Sequence, residues 1–296
     1  MLPFVSVCTP TFNRRPFIPY MIECFKRQTY PMARMEWIIV DDGTDCVEDL
    51  VLTAQIPQIK YVRLPQRVPL GKKRNVMHQH VKGEYVVYMD DDDYYPPERV
   101  AHAVEKLQQN PWAMCAGSSV LHIYFKHLDA IKEFGPYGKY HATAGTFAFR
   151  TALLKDTAYQ DDAALGEEKA FLKNYTVPLV QLDPTKVILV FSHPHNTFDK
   201  KRLLVDPSKT VVKDTNVTFG AFSMPQAMVD FFTDRMHVAL AAYGPGDPVH
   251  KPDVLQQSFS IQFGDKVLTG SKIIEHLNHQ QQLINLLKQR LREAER

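Results

Sequence analysis

The chain has no long hydrophobic run. Its longest apolar stretches, such as Lys186 to Ser192 (KVILVFS), have strand length, far short of the ~20 residues a membrane-spanning helix needs. Net charge is nearly absent as well. Lys plus Arg number 35 against 33 Asp plus Glu, and the balance holds on both sides of residue 200, at 23 against 23 before it and 12 against 10 after it. Affinity for nucleic acid through its phosphates requires a basic surplus, so that partner class is set aside. Cysteine is scarce: Cys8, Cys24, Cys46 and Cys115 form no CxxC pair, which gives neither a metal site nor a disulfide framework and fits reduced thiols in the cytoplasm. MLPFVSVCTP has no basic leader and no small-residue cleavage site, so it is expected to be a first strand rather than a signal peptide. The sequons at Asn174 and Asn216 would matter only in a secreted chain.

What is present is an alternation. Val5 to Thr9, Trp37 to Val40, Lys60 to Leu64, Tyr85 to Met89 and Ala113 to Ser118 have strand composition. Pro16 to Gln28, Asp45 to Thr53, Gly71 to Val81 and Pro97 to Gln109 have helical length and boundaries. Strict alternation implies an α/β fold, a mostly parallel sheet with helices on both faces. Ligands of such sheets sit at the carboxyl ends of the strands. Ile123 to Arg150 is mixed and suits an antiparallel extension carrying an acceptor surface. Residues 198 to 270 hold Pro/Gly loops and give little signal. Near the end, Ile273, Leu277, Ile284, Leu287 and Leu291 fall at three- and four-residue steps broken only by Gln280, an amphipathic helix over about 271–295. That helix is expected to pack on its own domain or to form a homodimer contact.

The strand ends carry the chemistry. Pro10-Thr11-Phe12-Asn13-Arg14 follows the first strand, Asp41-Asp42-Gly43-Thr44 the second and Asp90-Asp91-Asp92-Asp93 the fourth. Four adjacent carboxylates at a buried sheet edge repel one another and call for a counter-charge. A divalent cation, Mg²⁺ or Mn²⁺, takes oxygen ligands from one or two carboxylates and completes its shell with water and phosphate. The other reading is a solvated acidic turn capping the helix that begins near Pro97.

These segments, in this order, resemble the nucleotide-sugar glycosyltransferases of family 2, which have the GT-A fold. Pro10 to Arg14 is similar to the family's P-T-[YF]-N-R, Val40-Asp41-Asp42-Gly43-Thr44 to V-D-D-G-S, and Gly71-Lys72-Lys73-Arg74-Asn75 with Gly83-Glu84-Tyr85 to G-x-K-R-N leading to G-E-Y. Met89 to Pro96 stands at the D-x-D metal motif, and the resemblance runs from Val5 to about Thr197. It implies a catalytic domain over 1–200, with a donor half to about 118 and an acceptor half from 119, followed by an extension over 201–296.

The resemblance also implies roles. Asp42 would accept a hydrogen bond from the nucleotide base, UDP being the expected nucleotide, in a pocket walled by Pro10 and Thr11, with Phe12, Asn13, Arg14 and Asn75 also on the donor side. Asp90 and Asp91 would contact ribose or the metal's water shell, and Asp92 would ligate the metal directly, with Asp90 a further candidate. Arg74 and Lys73 would contact the pyrophosphate or fix the acidic loop; Lys72 and Lys73 are otherwise a solvated helix face. In Gly166-Glu167-Glu168-Lys169, which is similar to the family's [GTA]-E-D-x-x, the second acid is the catalytic base, so Glu168 is favoured over Glu167 although Asp is commoner there. His193-Pro194-His195-Asn196-Thr197 is similar to H-x-x-N-T, making His193, or alternatively His195, a candidate metal ligand. His78, His80, His276 and His279 are read as solvated helix faces.

The expected activity is metal-dependent inverting transfer of a sugar to a hydroxyl of a glycan, lipid or protein. A sugar-phosphate nucleotidyltransferase is one alternative, but its Gly-rich loop is missing between Pro10 and Arg14. A non-catalytic nucleotide-sugar or glycan-binding protein is the other, and the two acidic clusters count against it.

Overall fold

The computed structural model describes residues 2–205, 211–258, 260–263, 266–269 and 271–294. Two compact units divide after Asp247.

In the first unit, strand β1 (Val5–Thr11) is buried along its whole length, and so is β2 (Met35–Asp41). Such continuous apolar runs are what a parallel sheet covered on both faces requires. Helix α1 (Ile18–Lys26) lies between them in sequence and buries Ile18, Met21, Ile22 and Phe25, positions three and four apart that form one stripe. Phe25 stacks on Trp37 of β2 at 4.4 Å between ring centroids. Helix α2 (Glu48–Thr53), β3 (Ile59–Arg63), α3 (Leu70–His78), β4 (Tyr85–Tyr88), α4 (Arg99–Gln109) and β5 (Cys115–Gly117) continue the alternation. The hairpin β6 (Leu121–Phe125) and β7 (Ala130–Phe134) precedes β8 (Ala148–Arg150), helix α5 (Glu168–Phe171) and β9 (Leu179–Gln181).

The main sheet has the order β3-β2-β1-β4-β8-β5-β9. β1 runs parallel to β2 and β4, and β2 to β3; β8 enters antiparallel between β4 and β5. The mostly parallel sheet expected from the sequence is therefore present. So is the antiparallel extension, since β6 and β7 join β10 (Leu189–Ser192) and β11 (Val212–Asp214) in a second sheet, β10-β6-β7-β11.

Residues 198 to 247 hold more structure than their Pro/Gly loops suggest. Helices α6 (Arg202–Val205), α7 (Gln226–Asp230) and α8 (Met236–Ala241) lie here, the last two joined by a π-helical turn at Phe231–Arg235. Phe231 stacks on Tyr20 at 3.5 Å and Phe232 on Phe191 at 4.4 Å, so this segment belongs to the main core. Its pattern is hard to read locally because a π turn shifts the helical register.

The second unit contains α9 (Pro252–Ser258), the hairpin β12 (Ser260–Phe263) and β13 (Lys266–Thr269), and α10 (Ser271–Ala294). Leu277, Ile284 and Leu287 of α10 are exposed, while the side chains of Ile273 and Leu291 lie outside the described residues. Among the described residues, no helix is long and apolar enough to cross a membrane.

Candidate active site

Three strand ends of the main sheet meet, and α3 ties them together. Successive helical residues point ~100° apart, so neighbouring side chains of one turn reach different walls. Lys73 turns toward β1 and β2: its Nζ donates to the Thr11 carbonyl at 2.9 Å and to the Asp42 carboxylate. Arg74 turns the other way. Its Nε donates to Glu167 Oε1 at 3.1 Å, its NH2 lies 3.6 Å from Asp90 Oδ1, and its guanidinium sits 4.5 Å from the centre of the Tyr88 ring. Asn75 holds the segment leading to α5, donating to the Tyr159 carbonyl and to Asp161 at 2.8 Å each and accepting from Tyr159 N–H at 3.0 Å.

The alternative of a solvated face fails for Lys73 and Arg74. Lys73 and Arg74 are buried and only Lys72 is exposed. The solvated-face reading of His78 is corrected, because its Nε2 lies 2.6 Å from the Tyr88 hydroxyl and its ring contacts Tyr88, Phe149, Tyr159 and Phe171. Burial, with Arg74 adding to it, pushes this imidazole down to about 3. His78 is a neutral core residue.

At the end of β1, Pro10 and Thr11 are buried, and Phe12 after them lies under two cations, Arg67 at 5.2 Å and Lys73 at 5.7 Å from the ring centre. Asn13 takes up a left-handed backbone conformation, φ 51°. Its Oδ1 accepts from Asp45 N–H at 2.9 Å, and its Nδ2 donates to the Pro245 carbonyl at 2.6 Å. Arg14 is buried and donates to the His195 carbonyl at 2.6 Å and to Asp92 Oδ2 at 3.3 Å, with Asp91 Oδ1 at 3.7 Å. After β2, both oxygens of Asp42 have partners inside the chain, Lys73 on Oδ1 and the Val68 N–H at 2.8 Å on Oδ2. Asp41 organises the turn, accepting from the N–H groups of Gly43 and Val47 and from the Tyr61 hydroxyl.

The acidic loop after β4 is less bare of counter-charge than the sequence suggests, since Arg14 and Arg74 each pair with part of it. Its four carboxylates differ in environment. Asp93 Oδ1 accepts from Phe191 N–H at 2.9 Å, while burial and then Asp92 drive its carboxyl well above the ordinary range. Burial, followed by the charge of Asp92, pushes Asp91 up to about 7. Asp92 is held well below the usual range: burial opposes ionisation, but the Arg14 guanidinium overcomes it. Asp90 is raised by burial against the pull of Arg74. Its backbone N–H donates to the Tyr95 hydroxyl at 2.7 Å, and that hydroxyl donates to the Gly145 carbonyl at 3.1 Å. A Cβ on Gly145 would stand 2.8 Å from Asp90 Oδ2, so glycine allows the 144–146 turn to touch the acidic loop.

The structure brings His193 to Asp92, with Nε2 and Oδ2 3.2 Å apart, whereas the His195 ring lies against Gly246. Burial pushes His193 down to about 3, so it is neutral. Asn196 Oδ1 accepts from His193 N–H at 2.8 Å, which leaves its Nδ2 facing His193 Nε2, also at 2.8 Å. In the same acidic loop, Asp90 Oδ1 and Asp91 Oδ2 are buried without a hydrogen-bond partner. Unsatisfied carboxylate oxygens near an imidazole suit Mn²⁺ or Mg²⁺ with further shell positions left to other ligands. No group of three or more His, Cys, Asp or Glu residues gathers around one point among the described residues.

Glu167 is buried in its pair with Arg74, while Glu168, at the start of α5, is half-buried. Burial and the neighbouring Glu167 charge push Glu168 up to about 7.

Several neighbours of the site escape sequence reading. Lys200 contributes positive potential at Asp90, Asp92 and Asp93. The segment 243–247 crosses the β1 end, with the Tyr243 hydroxyl donating to Asp45 at 2.7 Å and the Pro245 carbonyl on Asn13. Only the proximity of Lys200 to the His193 motif, and of Tyr95 to the four aspartates, could have flagged them.

The same strand ends lie inside a stretch that family comparison recognises. Residues 6–160, just over half the chain, match the model of glycosyl transferase family 2. The chain belongs to that family. An uncharacterised glycosyltransferase of Haemophilus influenzae is 29% identical over 109 residues, 36% of this chain and 35% of that protein. The Staphylococcus aureus poly(ribitol-phosphate) β-N-acetylglucosaminyltransferase TarS is 28% identical over 172 residues, 51% of this chain and 28% of TarS. The chain thus spans about a third or less of these relatives' length. Two solved structures share the fold: a Pyrobaculum calidifontis mannosyltransferase with GDP-mannose and Mn²⁺ (TM-score 0.55, 16% identity, 86% of each chain) and S. aureus TarS 1–349 with UDP-GlcNAc (TM-score 0.51, 20% identity, 86% of this chain and 70% of that one). The GT-A architecture expected from the sequence is the fold of this family member.

Proposed function

We propose that the chain is an inverting, divalent-cation-dependent glycosyltransferase of glycan synthesis that moves a sugar from a nucleoside diphosphate sugar, UDP foremost, to an acceptor hydroxyl. The observation that carries this reading is the Arg74 bridge. One buried guanidinium joins the acidic loop, through Asp90, to the turn that presents Glu167 and Glu168. The bridge ties the proposed diphosphate-binding loop to the proposed base, and displacement at an anomeric carbon needs both held together.

The acceptor oxygen attacks the anomeric carbon, the bond from that carbon to the phosphate oxygen breaks, and the nucleoside diphosphate leaves with the electron pair. Glu168 takes the acceptor's proton. Its half-buried carboxyl, unlike that of Glu167, is not committed to an arginine, and a carboxyl raised to about 7 is basic enough to draw a proton from an attacking hydroxyl. Asp92 and His193, with Asp90 beside them, would hold Mn²⁺ or Mg²⁺, which when bound supplies positive charge to the departing diphosphate. Thr11 and Phe12 wall the nucleotide pocket. Lys73 acts by fixing Asp42 and the β1 end, and Arg14 by fixing the acidic loop.

A calorimetric panel of nucleotide sugars with Mg²⁺ or Mn²⁺ tests this reading. One nucleotide sugar should bind the wild type, and Asp92→Asn should lose the cation-dependent part of that binding. Equal cation dependence in the variant would remove Asp92 from the metal site.

A further inference from the structure

The loop 135–146 (GPYGKYHATAGT) has no leucine, isoleucine, valine or methionine, yet it presents three rings beside the site. Its backbone is fixed, since Tyr137 N–H donates to the Ser119 carbonyl at 3.3 Å and Gln181 Nε2 donates to the carbonyls of Lys139 and His141 at 2.9 and 3.0 Å. His141 lies 5.0 Å from Tyr137 and 4.9 Å from Tyr175 between ring centres, a continuous tilted row. Tyr137 and Tyr140 remain 37% and 38% exposed.

Tyr175 reaches this row through an unusual turn. Lys173, Asn174 and Tyr175 have φ of 49°, 56° and 61°, three consecutive left-handed residues without a glycine. Each such conformation costs free energy, and a run of them persists only where the surroundings impose it. The turn folds back on α5, with Asn174 N–H on the Lys169 carbonyl at 2.8 Å and Val177 N–H on the Leu172 carbonyl at 3.2 Å. Burial and then the charge of Glu168 act on the Tyr175 phenol. The row therefore ends on the turn that folds back on α5, the helix that Glu168 opens, while the loop 135–146 touches Asp90 through Gly145.

From this placement we infer that Tyr137, Tyr140, His141 and Tyr175 form the acceptor ledge, and that its occupant is a glycan whose pyranose ring stacks its C–H face on these rings. The inference rests on the glycosyl-transfer reading. Rings with polar edges on a loop without a large aliphatic side chain match a sugar, which is apolar on its C–H face and hydroxylated at its rim. A lipid chain would find no aliphatic surface on this loop.

The experiment is saturation-transfer NMR on the full chain with UDP and Mg²⁺, using chitotriose, cellotriose and maltotriose as pyranose probes and ribitol and octanol as controls. At least one trisaccharide should receive saturation on its ring protons. Tyr137→Ala and Tyr175→Ala should weaken that trisaccharide's binding about fivefold, while Tyr137→Phe and Tyr175→Phe retain it. Trp112→Ala should change nothing, because Trp112, although exposed, precedes β5 and so lies at the opposite edge of the sheet. Silence of all three trisaccharides, equal saturation of ribitol or octanol, or unchanged binding in both alanine variants would overturn the ledge. Donor calorimetry on the same samples separates the two ideas. A wild type that binds no nucleotide sugar contradicts the proposed function, whereas donor binding with silent trisaccharides contradicts the ledge alone.

Discussion

Replacing Arg74 by methionine keeps the length and apolar packing of the side chain but removes its charge. Glu167 and Asp90 then stay buried without the guanidinium that lies 3.1 and 3.6 Å from them, and the Tyr88 ring loses a cation at 4.5 Å. Removing one partner of a buried ion pair costs about 3–5 kcal/mol, because the remaining charge is uncompensated. For a unit of this size that corresponds to a fall in Tm on the order of 10 °C. The loss should be pH-dependent. Burial already raises the Asp90 carboxyl against the pull of Arg74, so without the guanidinium its folded form should hold a proton that the unfolded chain has released, and the deficit of Arg74→Met should shrink as pH falls. Urea unfolding followed by circular dichroism across pH 4–8 measures this, and Glu167→Gln completes a double-mutant cycle. Adding Glu167→Gln to Arg74→Met should recover ~1–2 kcal/mol, since one buried charge disappears. A loss under ~1 kcal/mol for Arg74→Met, or strict additivity with Glu167→Gln, would refute the bridge.

Four further outcomes follow from the structure. Because Glu168 must be ionised to accept a proton and its carboxyl is raised to about 7, kcat/KM should rise with pH through that value. The folded state holds that proton where the unfolded chain has released it, so Glu168 makes stability fall as pH rises from the ordinary glutamate value of 4.5 toward 7, and Glu168→Gln should flatten that slope in pH-dependent unfolding. Gly246→Val should loosen the 243–247 crossing, since a Cβ there meets His195 Nδ1 at 2.6 Å and the Asn13 carbonyl at 3.0 Å; faster proteolysis at this segment is the readout. Phe25→Ala should cost about 3–5 kcal/mol in urea unfolding, as it empties a fully buried place against Trp37.

The parts legible in the sequence are those whose signal is local. β1, β2 and β4 are short apolar runs that end abruptly in polar residues, so both the sheet and its functional edge can be read from the chain. Partners distant in sequence are not legible. Lys73 and Asp42 stand 31 positions apart and Arg74 and Glu167 stand 93 apart, so the sequence left a solvated face open beside the contact reading and could not name the carboxylates these residues hold. His78 misled for the same reason, since the aromatic residues around it come from β4, β8 and the approach to α5. Residues 212–241 were obscure because Phe231 and Phe232 pack on Tyr20 and Phe191, which no local periodicity records. The 3.2 Å approach of His193 to Asp92 is a contact that the H-x-x-N-T spacing could not show.

The central claim is that Glu168 takes the acceptor proton in transfer from a nucleotide sugar. The most direct measurement compares wild type and Glu168→Gln for nucleotide-sugar affinity and for nucleoside diphosphate release in the presence of acceptor and Mg²⁺ or Mn²⁺. Unchanged affinity with release slowed by a factor of about 10² to 10⁴ is the predicted result. Release at the wild-type rate from Glu168→Gln would contradict it.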